Sequence, residues 1–95
     1  MDYLKKFGLS DTDIEEISNN LTEDEYQTIE FYKSRVSKDI DYLKELGITD
    51  IKGIFMNCAY IFNYFASELK EAIEKCEVPN IIELLREDVS NFELV

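Results

Sequence analysis

Eight carboxylates, Asp11, Asp13, Glu15, Glu16, Glu23, Asp24, Glu25 and Glu30, fall between Lys6 and Lys33 with no basic residue among them. Carboxylates can run acid and base chemistry when burial raises the pKa of one member of a pair. They can also bind a hard cation, or meet the Lys and Arg side chains of a partner. The chain has no histidine, which removes the commonest general base and the commonest metal ligand together. Ser-His-Asp and Cys-His nucleophiles and His-based zinc sites are excluded. There is no Gly-rich phosphate loop. Asp11, Asp13 and Glu15 match the first acidic positions of a calcium loop, but Glu16 stands where Gly must turn the loop and Thr22 where a bidentate Glu must close it. No catalytic residue, metal site or cofactor is therefore expected. Acids this numerous read as solvated surface, and the chemistry left to them is binding.

The charge extends beyond this stretch. With 21 acidic and 10 basic residues the formal net charge is -11. Phosphate backbones are bound through Lys and Arg that displace counterions, so direct nucleic-acid or anionic-membrane binding is disfavoured. The favoured partner is a basic protein surface. Phe31 and Tyr42 lie off the apolar stripe of their helix, and Phe31 beside the acids has the make-up of an aromatic anchor for such a surface. The expected partner-binding set is the eight carboxylates with Phe31.

The elements that position these groups read as helical. Three glycines and one proline leave little punctuation for hairpins, and Leu, Ile, Glu and Lys recur at helical spacing. Tyr3, Leu4 and Phe7 form a first helix closed by Gly8. Ser10 with Asp13 opens a second, ending near Asn19 and Asn20. Thr22 with Glu25 opens a long helix whose stripe of Ile29, Tyr32, Val36, Ile40 and Leu43 runs to Gly47. Thr49 caps the next segment, in which Ile54 to Ala66 is apolar apart from Asn57 and Asn63. That segment is expected to be a buried central helix, with Phe55, Tyr60, Phe62, Tyr64 and Phe65 filling the core. Ser67 restarts a helix with Leu69, Ala72 and Ile73, and Pro79 takes the first position of a last one. The expectation is an all-α, compact bundle of five to six helices in one domain, residues 1–95. The length and the hydrophobic fraction of 45% suit one modest core.

Cys58 and Cys76 make no disulfide framework. No signal-peptide pattern opens the chain and no segment is apolar enough to span a membrane, so the expected setting is cytoplasmic.

Asp2 to Ser10 is echoed by Asp41 to Thr49, and Ile14 and Ile17 by Ile51 and Ile54. Helix, Gly cap, Ser/Thr cap and helix is a common construction, but such periods also mark stacked helical hairpins. Leu43-x-x-Leu46-Gly47-Ile48-Thr49, Ile51-x-x-Ile54, Ile61-Phe62 and the closing Leu69 and Ile73 resemble the helical repeat of the mitochondrial transcription termination factors. The proline usual after the second helix of that unit is missing, and Tyr60 stands near its place. The resemblance implies two stacked helical units and, in its family, nucleic-acid binding on a basic concave face; it carries no functional residue here.

The expected function is that of a non-enzymatic acidic helical protein that binds a basic partner. One form is a nucleic-acid mimic that inhibits a nucleic-acid-binding enzyme. The alternatives are a helical-repeat nucleic-acid-binding module and a structural, homodimerising module.

Overall fold

Two reciprocal capping boxes start the first two α-helices. In the computed structural model, which describes residues 1–95, Ser10 Oγ accepts the Asp13 N–H at 3.1 Å and the Asp13 carboxylate accepts the Ser10 N–H at 3.0 Å. Thr22 and Glu25 exchange the same pair of bonds at 3.2 and 2.9 Å. Each box satisfies backbone donors that a helix start leaves unbonded. Helices α1 (Asp11–Asn20) and α2 (Glu23–Phe31) follow, then α3 (Lys33–Glu45), α4 (Ile51–Asn57), α5 (Ala66–Lys75) and α6 (Ile81–Glu87). Three 3₁₀ segments, Asp2–Phe7, Ala59–Asn63 and Val89–Leu94, complete a fold without strands. The all-α class is as expected. The count of five to six helices is too low, because the expected long helix is two, α2 and α3, and the chain after α4 and after α6 forms separate 3₁₀ segments.

Three boundaries differ from the sequence expectation. The long helix breaks at Tyr32 (φ -106°, ψ 47°). In the turn before the break, the Ile29 carbonyl accepts the Tyr3 hydroxyl at 2.7 Å. A side chain from the N-terminal 3₁₀ segment thus satisfies one of the carbonyls that a helix end exposes. The central apolar stretch is not one buried helix either: it leaves α4 at Cys58 (φ -146°, ψ 42°) and is extended at Tyr64 (ψ 151°). A fully buried helix there would have to bury two Asn amides and two Tyr hydroxyls, which is costly without partners. The break puts Asn57 and Asn63 in solvent. Lastly, α6 starts at Ile81, not Pro79, after Asn80 in the left-handed region (φ 58°, ψ 33°), which Asn tolerates better than most residues. The cap of α4 is Asp50, whose carboxylate accepts the Gly53 N–H at 3.0 Å, one residue past the expected Thr49.

The echoed segments agree at their turns and buried positions but not in their helices, since Asp2–Phe7 is a 3₁₀ segment and Asp41–Glu45 ends α3. Gly8 (φ 89°) and Gly47 (φ 81°) both turn left-handed after their helices, and Leu4, Leu43, Leu9 and Ile48 are all buried. One cluster of 20 buried residues forms the core. Phe55 and Phe62 stack within it, ring centroids 4.6 Å apart. Around it α4 lies between α1 and the 89–94 segment, α3 packs on α5, and α2 packs on the 59–63 segment. Arg86 Nε donates to Leu46 O at 2.6 Å and Asn20 to Met56 O at 2.9 Å, bonding distant stretches together. No helix is long and apolar enough to cross a membrane.

Candidate binding surfaces

The acids of α1 and α2 are less bare than their order in the chain suggests, because cations from outside the stretch reach back to them. Lys5 pairs with Asp11 at 2.8 Å. Lys52, carried in by α4, bridges Asp13 at 3.1 Å and Glu16 at 2.7 Å. Glu30 takes the Met1 amino group at 2.5 Å and Lys33 at 3.5 Å. The Met1 ammonium holds the Glu30 carboxyl below its ordinary range, and the Ser10 N–H, with Lys52, does the same for Asp13. Glu25 is engaged in its capping box. Of the eight expected carboxylates, Glu15, Glu23 and Asp24 have neither an ion pair nor a side-chain hydrogen bond. The field is halved by four cations but not cancelled.

Phe31 follows Glu30 at the end of α2 and is exposed, as expected. It has 76% of its surface exposed and lines a small groove with Lys33, Arg35 and Lys38. Tyr42, expected to be exposed, is half-buried against the core.

The break after α4 builds a second feature that periodicity did not foretell. Of the five aromatics expected in the core, only Phe55 and Phe62 are there; Tyr60, Tyr64 and Phe65 face solvent. Tyr60 and Tyr64 edge a groove of about 590 Å³ between the 59–63 segment, α5 and the 89–94 segment. Ile61, Leu69 and Phe92 contribute its apolar surface, and Glu68, Glu71 and Glu93 line it with a single base, Lys75. Lys75 is already bonded to Glu71 at 2.5 Å. Its size lies within the range of ligand clefts. The sequence signal available for it was the pair of tyrosines at helical spacing, each with a hydroxyl that burial would leave unpaired.

Two ionisable groups, Cys58 and Asp39, are buried. Cys58 is buried with its Sγ 3.6 Å from Val89 O, and burial pushes its thiol up to about 12. Asp39 has no solvent-exposed surface and neither carboxylate oxygen has a partner. Burial pushes it up to about 7, against the pull of Arg35 one turn earlier, and Glu68 adds to the rise. It lines neither groove, so its proton has no direct contact with a bound molecule there. No set of three acidic or thiol side chains is placed to hold a metal ion. A scan against protein-family models, a search of curated proteins and a search of solved structures found no match.

Proposed function

We propose that this protein is a non-catalytic binding module that captures a basic protein segment, with the groove between the 59–63 segment, α5 and the 89–94 segment as its docking site. The carrying observation is the meeting of two half-exposed tyrosines with three carboxylates over an apolar floor. Aromatic anchors in a partly desolvated cleft supply most of the affinity at protein interfaces, and charges at the rim supply selectivity and encounter rate. A Lys or Arg beside an aliphatic side chain matches this lining: the apolar part lies on Ile61 and Leu69, and the cation meets Glu68, Glu71 or Glu93. The acids of α1 and α2, with Glu15, Glu23 and Asp24 free of partners, add an attractive field for a basic protein. In the narrower form of the proposal the partner is a nucleic-acid-binding enzyme whose basic channel the acids occupy in place of a phosphate backbone.

Panning a random displayed-peptide library against the immobilised protein tests this. The expected selection is enriched in Lys and Arg next to Leu, Ile or aromatic residues, and it is lost when the bait carries Tyr60→Ala with Tyr64→Ala. Selection of acidic peptides alone, or undiminished capture by the tyrosine variant, refutes the assignment.

A further inference from the structure

A second groove begins one residue along the chain from the first, and its polarity is reversed. Tyr64 lines the acidic groove; Phe65 lines a cleft of about 320 Å³ together with Phe31, Tyr32, Lys33, Arg35 and Lys38, and no carboxylate lines it. In a chain with about twice as many acids as bases, three bases without an acid mark this site for an anion. The rings are equally distinctive. Phe31, Phe65 and Tyr32, at 76%, 58% and 55% exposure, are the three most exposed large apolar side chains of the molecule. Apolar side chains scattered singly over a surface need no explanation, but a concentration at one place does.

The cations are poised rather than spent. The Arg35 guanidinium lies 4.5 Å from the Tyr32 ring centroid and 5.4 Å from that of Phe65. Stacking on ring faces leaves the terminal amino donors of the Arg35 guanidinium free for a carboxylate, while its Nε is buried without a partner. Arg35 and Lys38 make no ion pair, and Lys33 makes one, at 3.5 Å to Glu30. Arg35 is also restrained before any partner arrives, which lowers the entropy lost on binding.

We propose that this cleft is a docking surface for an acidic protein segment, one in which Asp or Glu residues flank an aliphatic or aromatic side chain. Its carboxylates bond Arg35 and Lys38, and its apolar side chain rests on Phe31 and Phe65. The basic segment assigned to the first groove is repelled here, so this inference stands apart from that one. A nucleic-acid strand fits less well: each nucleotide adds a phosphate, and a strand running beyond so small a cleft meets the surface of a chain with net charge -11. A symmetric dimer through this face sets Lys33, Arg35 and Lys38 against their own copies.

Fluorescence anisotropy with three labelled probes decides the matter: a peptide alternating Asp and Leu, its Lys-for-Asp counterpart, and oligothymidine. The Asp/Leu peptide is expected to bind, to weaken as salt rises, and to lose about tenfold or more in affinity, the size of a hot-spot loss, with Phe31→Ala and with Lys38→Glu. Both substitutions are on exposed side chains, and circular dichroism checks that each variant is folded. The Tyr60→Ala, Tyr64→Ala protein is expected to bind the Asp/Leu peptide like wild type. Absence of binding, or equal binding by the Phe31 and Lys38 variants, overturns the proposal. So does oligothymidine binding more tightly with the same two losses, which makes the cleft a nucleic-acid site, or a concentration-dependent dimer by light scattering that Phe31→Ala abolishes.

Discussion

Replacing Asp39 with Asn should stabilise this protein, and should do so only where the carboxylate is charged. Asp39 is fully buried on α3 with both oxygens unpaired, and burial raises it from the ordinary 3.8 to about 7. Between those values the folded protein keeps a proton that the unfolded chain has released. Stability therefore falls as pH rises through that window, and the whole loss is present above about pH 7. A separation of about three units at 1.36 kcal/mol each is a cost of about 4 kcal/mol. Asn keeps the shape and removes the charge, but its amide hydrogens then lack acceptors, which costs about 1–3 kcal/mol. The net gain is about 1–3 kcal/mol at about pH 8, falling by the full charge term at about pH 4. At about 4–8 °C per kcal/mol for a domain of this size, thermal melts of the two proteins across the pH range resolve it. The prediction is a Tm difference in favour of the Asp39→Asn protein that grows with pH through the window. A pH-independent difference, or one that shrinks as pH rises, means the carboxylate is not held unpaired.

Four other outcomes follow from the same geometry. Thr22→Ala removes one half of the capping box at α2 and should cost about 1 kcal/mol in chemical denaturation, with the midpoint lowered and the slope unchanged. Gly47→Ala sets a Cβ 2.8 Å from Arg86 Nε at a φ of 81° and displaces the Arg86 bond to Leu46 O; a loss of about 1–2 kcal/mol for the left-handed backbone alone is expected in the same assay. Phe62→Ala unstacks Phe55 and opens a core cavity at a cost of about 3–5 kcal/mol, enough to show as a collapsed or missing thermal transition. A colorimetric thiol reagent should modify half-buried Cys76 in the native protein and reach buried Cys58 only on unfolding; prompt reaction of both thiols would contradict the burial of Cys58.

Local chemistry was the most legible part of the sequence. Ser10–Asp13 and Thr22–Glu25 marked helix starts because a capping box is written within four consecutive residues, and Gly8 and Gly47 marked ends because their left-handed turns suit a residue without a Cβ. The breaks at Tyr32 and Cys58 were hidden because they depend on partners remote in sequence, such as the Tyr3 hydroxyl at Ile29. Missing the second break misplaced Tyr60, Tyr64 and Phe65, and with them both grooves. The acidic stretch misled in a similar way: Lys52 lies far along the chain from Asp13 and Glu16, yet α4 brings it between them. Asp39 was visible in principle. It sits three residues after Val36 and four before Leu43, both fully buried, so helical spacing alone puts it on the core stripe.

Titrating isotopically labelled protein with a peptide alternating Lys and Leu, and mapping the amide shifts, locates the site that takes a basic segment. An acidic chain attracts any polycation, so the location of the response matters more than its size. Saturable shifts are expected, centred on Tyr60, Tyr64, Glu68 and Ala72, and they vanish with Tyr60→Ala and Tyr64→Ala. Shifts spread along α1 and α2, with the groove unperturbed, would contradict docking in the groove.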